Sequence, residues 1–137
     1  MHDNIVLDSG IIAAIFFPEK ISGKSLMIAE THDCITVDLA YAEVANVAWK
    51  RSSQTGQDAA MVKNMLYECT AFISEACQVL PAQDLVPAAY DLACHHRITI
   101  YDALFLAAAI HCASPLVTAD KKIHLAASGI VKTELVH

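Results

Sequence analysis

Short apolar runs alternate with longer helical stretches along this chain, and that alternation constrains the fold more than any other feature. Each run is too short for a stable helix and is bounded by polar residues, glycine or proline. The predicted strands are residues 4–7, 34–37, 78–80 and 116–118, with an edge strand expected at 130–131. Such an order predicts parallel strands whose two faces are both covered by helices.

Seven helical stretches follow these strands. Residues 39–51 and 57–76 carry apolar side chains at the 3.6-residue spacing of an amphipathic helix. The other predicted helices are residues 11–17, 22–30, 85–95, 102–112 and 120–128. We therefore predict an α/β fold, a three-layer α/β/α arrangement with a short central parallel sheet, in a single domain that takes up residues 1–137.

The chain is rich in apolar residues, which make up 55% of its 137 residues, against roughly 45–50% in most soluble domains. This excess predicts apolar surface for a partner or a second copy. The longest apolar runs, 10–17 and 103–110, fall far short of the roughly 20 residues that cross a membrane. Because the N-terminus carries an acid where a signal peptide carries basic charge, we expect a cytoplasmic protein without a membrane partner.

Charge and cysteine content limit the classes of function. The formal net charge is −6, which argues against binding nucleic acid through a broad basic face. It does not exclude an enzyme that meets phosphate through a bound cation, since the cation supplies positive charge. The five cysteines form no C-x-x-C pair, so we expect reduced thiols that serve as small buried hydrophobic residues.

Four acidic residues lie where ligands bind in such folds, near the carboxyl ends of the strands. Asp8 and Asp120 follow predicted strands, Asp102 opens the most apolar helix, and Glu43 lies one turn inside another helix. Converging carboxylates repel one another unless a cation neutralises them. Mg²⁺ takes carboxylate and water oxygens and bridges to phosphate. The layout therefore favours metal-assisted hydrolysis of a phosphodiester bond.

Each acid also has an ordinary structural explanation. Asp8 and Asp120 could cap the helices that follow them, and Thr99 and Asp102 have the spacing of a capping box. Glu43 could lie on the solvent face of its helix; a helix salt bridge is not available to it, since no basic residue stands four positions after it. Capping and metal binding are compatible, since a carboxylate has two oxygens.

Three further features have mainly structural interpretations. We expect Lys50 and Arg51 to lie in solvent at the end of a helix. Lys121 and Lys122 stand beside the acid at position 120, so contact with phosphate is as well supported for them as a solvent-exposed helix end. Trp49 is expected in the core or an interface. The histidine pair at 95–96 has no third ligand at helical spacing, so a surface or core role is favoured over metal binding.

The four acids and their neighbours resemble the four acidic motifs of the PIN-domain family. The motifs are VLDS at residues 6–9, AEVANV at 42–47, YDALFLA at 101–107 and LVTADKK at 116–122. The third and fourth together are fairly specific, and all four occur in order. The resemblance runs from about residue 4 to residue 131.

The resemblance implies a Rossmann-like sheet, dependence on Mg²⁺ or Mn²⁺, endoribonuclease activity on RNA, and frequent homodimerisation. Small members of the family are often toxins of VapC-type toxin–antitoxin pairs, which implies an antitoxin protein as a partner. By motif position, Asp8 and Asp102 would be the principal metal ligands, Asp120 would complete the site, and Glu43 would ligate or act through water. Ser9 and Thr118 would orient these carboxylates.

Other functions stay open at this point. The chain could be a non-catalytic PIN-like module that docks to a partner protein, or an RNA-processing nuclease that is not a toxin. A phosphoacceptor receiver domain is disfavoured, because it needs an acidic pair after the first strand and Asp8 stands alone there. A dinucleotide-binding enzyme is disfavoured because no G-x-G-x-x-G follows that strand.

Overall fold

A five-stranded sheet forms the centre of the computed structural model, which describes residues 2–137. The strands are β1 (Asn4–Leu7), β2 (Asp33–Val37), β3 (Cys77–Leu80), β4 (Leu116–Thr118) and β5 (Thr133–Leu135). Their order is β3-β2-β1-β4-β5, and every neighbouring pair is parallel. The strand order reverses between β1 and β4, which is where a ligand crevice opens in sheets of this kind.

Seven helices flank the sheet, so the predicted three-layer α/β/α architecture is confirmed. They are α1 (Ser9–Phe16), α2 (Ser22–Glu30), α3 (Leu39–Ser53), α4 (Ala59–Ala76), α5 (Ala82–His96), α6 (Ile100–His111) and α7 (Lys121–Ala127). Within residues 2–137, none of these helices has the length and apolar character needed to cross a lipid bilayer.

Helix α6 is the most deeply buried helix and fixes one wall of the crevice. All seven residues from 103 to 109 are buried, because the helix packs against α5 as well as against β1 and β2. A helix that is covered on every side must be apolar all round, which explains the run ALFLAAA. Asp102 stands directly before this run, so the packing of α6 holds that acid at the rim of the sheet.

Two elements begin three residues away from the predicted position, and the boundaries of the other elements differ by at most two residues. The edge strand β5 is Thr133–Leu135 and not residues 130–131, since the backbone N–H groups at 130 and 131 both donate to the carbonyl of Ala127 and finish α7. Helix α5 begins at Ala82 rather than residue 85, because its exposed first turn carries no apolar periodicity and Pro81 serves as its N-cap.

All five cysteines are free thiols. Cys34 and Cys69 are buried, and burial raises the pKa of these thiols to about 11 and about 12. Cys94 is exposed, so the predicted packing role holds for only part of the set.

Candidate metal centre

Asp8 lies at the floor of the site, at the carboxyl end of β1, and is only 6% exposed. Its Oδ1 accepts a hydrogen bond of 3.0 Å from the backbone N–H of Ile11, so Asp8 is the N-cap of α1. Its Oδ2 accepts a hydrogen bond of 2.5 Å from the hydroxyl of Thr118. A carboxylate offers about four acceptor positions, so capping leaves Asp8 with lone pairs for a further ligand.

Thr118 connects two of the acids across the strand end. It is fully buried; its hydroxyl donates to Asp8 and accepts a hydrogen bond of 3.0 Å from the backbone N–H of Asp120. Asp120 is itself exposed and caps α7 through Oδ1, which accepts from the N–H groups of Lys122 and Ile123. A single hydroxyl therefore fixes the spacing between the floor and the rim of the site.

Asp102 and Glu43 are both partly buried. The hydroxyl of Thr99 accepts a hydrogen bond of 3.1 Å from the backbone N–H of Asp102, but the backbone N–H of Thr99 does not donate to the Asp102 carboxylate, so only half of the predicted capping box forms. Glu43 Oε1 accepts a hydrogen bond of 2.7 Å from the hydroxyl of Ser9. This bond joins α3 to the first turn of α1, and Glu43 is not a solvent residue.

A cleft of about 460 Å³ opens at this edge of the sheet. Asp8, Asp102 and Asp120 line it together. Glu43 faces an adjoining hollow of about 340 Å³, which shares Ser9 with the cleft. The structure thus brings three of the four predicted acids into one cavity and holds the fourth beside it.

Burial and mutual repulsion raise the pKa of three of these acids. Burial raises the pKa of Asp8 from 3.8 to about 6, the negative charges of Asp102 and Glu43 add to that rise, and the bonds from Thr118 and Ile11 oppose it. Burial is likewise the largest cause of the raised pKa of Glu43, and Asp102 adds to it. The pKa of Asp102 is raised by burial and then by Asp120. The four carboxylates are therefore one electrostatically connected set.

The donor set suits a hard divalent cation. All the candidate ligand atoms are carboxylate oxygens, which Mg²⁺ and Mn²⁺ prefer, and the raised pKa values mark a place where positive charge would relieve repulsion. Within residues 2–137, no three His, Cys, Asp or Glu side chains are grouped so that they could hold one ion together. Mg²⁺ usually keeps several waters and takes only one or two protein carboxylates, so the arrangement fits a hydrated ion.

Arg51 was expected in solvent at the end of α3, and that expectation is wrong. The side chain is partly buried and lines the cleft, with its guanidinium carbon 5.7 Å from the centroid of the Phe17 ring. The signal for this was spacing: Glu43, Val47 and Arg51 recur every four residues, which places them on one face of a helix.

The structure also places two other residues that the sequence analysis singled out. Trp49 is 57% exposed, so it does not belong to the core. Lys122 is exposed, yet its positive charge lowers the pKa of Asp102 against the effect of burial, which places it near the acidic set.

The chain belongs to the PIN-domain family, since the model of the PIN domain matches residues 5–128. Within that family it is a VapC-type protein. Ribonuclease VapC3 of Pyrobaculum aerophilum is 32% identical to it over 120 residues, which cover 87% of this chain and 91% of that relative.

Solved structures share the fold at lower identity. PAE2754 from Pyrobaculum aerophilum superimposes with a TM-score of 0.72 at 19% identity, over 95% of this chain and 83% of that one. A toxin–antitoxin complex from Klebsiella pneumoniae gives a TM-score of 0.66 at 17% identity, over 95% of each chain. These likenesses extend over nearly the whole chain and establish the α/β/α fold independently of the motifs.

Proposed function

We propose that this chain is a Mg²⁺-dependent endoribonuclease, with Mn²⁺ able to replace Mg²⁺, that hydrolyses phosphodiester bonds of RNA. The observation that carries the proposal is the shared cleft of Asp8, Asp102 and Asp120, with Glu43 tied to its edge through Ser9. Membership of the PIN-domain family and a relative named a ribonuclease support this reaction class.

Each acid has its own part in the proposed site. Asp8 and Asp102 would be the principal ligands of the ion, whereas Asp120 would complete the site and Glu43 would act through waters that the ion keeps. When bound, the ion lowers the pKa of a water and offsets charge on the leaving oxygen.

Two hydroxyl groups fix the orientation of carboxylates in the proposed site. The hydroxyl of Thr118 holds Asp8 Oδ2 in place, and the hydroxyl of Ser9 does the same for Glu43 Oε1. Burial raises the pKa of Glu43 above its ordinary value, which makes this carboxylate a stronger base toward a water.

We also propose that the protein is the toxin of a VapBC-type pair, with an antitoxin protein and a second copy of itself as partners. The Klebsiella pneumoniae structure of the same fold is a toxin–antitoxin complex, which supports an antitoxin partner. Large apolar side chains at the surface, such as Met27, Tyr90 and Leu125, are more than 60% exposed. Side chains of this kind mark a protein interface where they form a contiguous patch.

Cleavage of structured RNA by the pure protein tests the proposal. We expect products with Mg²⁺ or Mn²⁺, none with EDTA, and none from folded Asp102→Asn protein. A non-catalytic module would leave every RNA intact under all three conditions. Cleavage that persists in EDTA, or at full rate in the Asp102→Asn protein, would show that the carboxylate site does not perform the reaction.

A further inference from the structure

We propose that Arg51 binds a backbone phosphate of the RNA strand next to the one that is cleaved, an inference that rests on the proposed ribonuclease function. Among the described residues that line the cleft, Arg51 is the one basic side chain. The other charged residues that line it are acidic: Asp8, Glu19, Asp102 and Asp120. A polyanionic strand that enters this cleft therefore meets one fixed positive charge.

The charge of Arg51 is not used by the protein itself. Within residues 2–137 its guanidinium forms neither a hydrogen bond nor an ion pair, and its recorded partner is the face of the Phe17 ring. Arg51 is not among the charges that shift the pKa of Asp8, Glu43 or Asp102, and the cation that lowers the pKa of Asp102 is Lys122. A partly buried guanidinium has five N–H donors, and none of those of Arg51 bonds to an acceptor among residues 2–137, although the residue lines the cleft.

The position of Arg51 is fixed from two sides. Its guanidinium rests over Phe17, which is 1% exposed and so cannot move away easily. Its backbone carbonyl accepts hydrogen bonds from the hydroxyl of Thr55 at 2.6 Å and from the backbone N–H of Gln57 at 3.2 Å. It also stands in the last turn of α3, where the helix dipole favours a cation. A planar guanidinium held in this way is preorganised for two-point contact with a phosphate.

The spacing along α3 favours a flanking phosphate over the scissile one. Arg51 follows Glu43 by eight residues, which is about 12 Å along a helix. An RNA strand whose scissile phosphate lies at the carboxylates would therefore bring a flanking phosphate, not the scissile one, to Arg51. Because the whole chain carries a net charge of −6, such a contact offsets repulsion that every nucleic acid would otherwise meet here.

Salt-dependent binding tests the contact separately from cleavage. In the Asp102→Asn protein with Mg²⁺, the affinity for a short single-stranded RNA is measured over a range of KCl concentrations. Adding Arg51→Met, which keeps the apolar stem over Phe17, should weaken binding about tenfold. It should also reduce the slope of log affinity against log salt by about 0.7, the value for one lost phosphate contact on a single strand. Arg51→Lys should restore the slope.

Lys50→Met is the matched control, because Lys50 is the adjacent cation on the same helix end but is exposed and does not line the cleft. It should leave both the affinity and the slope unchanged. In the otherwise unaltered enzyme, Arg51→Met should raise KM with little change in kcat. Equal slopes for Arg51→Met and Lys50→Met would overturn the assignment while leaving the ribonuclease proposal intact. Absence of any RNA binding by the parent, together with no cleavage, would overturn both.

Discussion

Thr118 donates a hydrogen bond of 2.5 Å to Asp8 across the ends of β4 and β1, and both residues are buried. The two residues are 110 positions apart in the chain, so the bond exists only once these two strands have paired. The same hydroxyl accepts from the backbone of Asp120. Folding of the sheet and assembly of the site are therefore one event at this contact.

Thr118→Val should lower the free energy of unfolding by about 1–3 kcal/mol, because a buried carboxylate oxygen loses its partner. It should also reduce Mg²⁺-dependent cleavage by at least about tenfold, since Asp8 is no longer held in place. The matched control is Thr36→Val, which removes an equally buried strand hydroxyl that donates to the backbone carbonyl of Leu7. Urea unfolding should show reduced stability in both variants. Cleavage should decrease only in the Thr118→Val protein. Equal loss of cleavage in both would reduce Thr118 to a general packing role.

Asp102→Asn should abolish Mg²⁺-dependent cleavage while the fold survives, because one negative charge is lost and the shape is kept. The loss should be at least about 100-fold, the upper end of what removing an outer-shell partner of a metal costs. Asp84→Asn is the matched control: it changes an exposed acid in the first turn of α5, as Asp102 lies in the first turn of α6. Cleavage assays and circular dichroism on both variants check this. Unchanged activity in folded Asp102→Asn protein would contradict the site.

When metal is absent, ionisation of Asp8 should lower the stability of the folded protein as the pH rises. The pKa of this group is about 6 in the folded protein against an ordinary 3.8, so the folded state binds a proton more tightly than the unfolded state. Its contribution to stability is full below pH 3.8 and is lost as pH rises through about 6. At 1.36 kcal/mol for each pH unit between these values, the loss is about 3 kcal/mol.

Urea unfolding of the wild-type and Asp8→Asn proteins in EDTA, from pH 4 to pH 8, measures this loss. The wild type should lose stability relative to Asp8→Asn across the window from about pH 4 to pH 6. Glu43 and Asp102 also have raised pKa values, so the comparison must be the difference between the two proteins. A difference that stays constant with pH would show that Asp8 does not titrate in this way.

The strands and the acidic residues of the site could be predicted from the sequence because both depend on a few neighbouring residues. The strands β1 and β4 and the acid that follows each of them are visible within five consecutive positions, residues 4–8 and 116–120. The partners of those acids are not local: Ser9 reaches Glu43 across 34 positions, and that contact depends on which helices pack side by side. Arg51 was missed for the same reason, since a basic residue at a helix end normally faces water unless a cavity forms beside it. The edge strand β5 was misplaced because its sequence, Thr-Glu-Leu, has little apolar character.

The Asp120→Asn substitution should change both the stability of the metal-free protein and the stabilisation that metal binding provides. The charge of Asp120 contributes to the raised pKa of Asp102, so removing it relieves repulsion in the metal-free protein. Asparagine is as good an N-cap as aspartate, so the cap of α7 should be retained. We therefore expect the variant to melt at or above the wild type in EDTA. Mg²⁺ or Mn²⁺ should stabilise the wild type by binding the native state, by about 2.7 kcal/mol at 100 times the dissociation constant, and should stabilise the variant less.

Asp58→Asn is the matched control for this comparison, because Asp58 caps α4 through the N–H of Ala60 and does not line the cleft. Its response to metal should equal that of the wild type. If Asp120 were only a cap, both variants would respond to Mg²⁺ as the wild type does, since asparagine keeps either cap. Melting curves of the three proteins with Mg²⁺, with Mn²⁺ and with EDTA separate these outcomes. If metal shifts none of the three melting temperatures, the four carboxylates do not form a metal site.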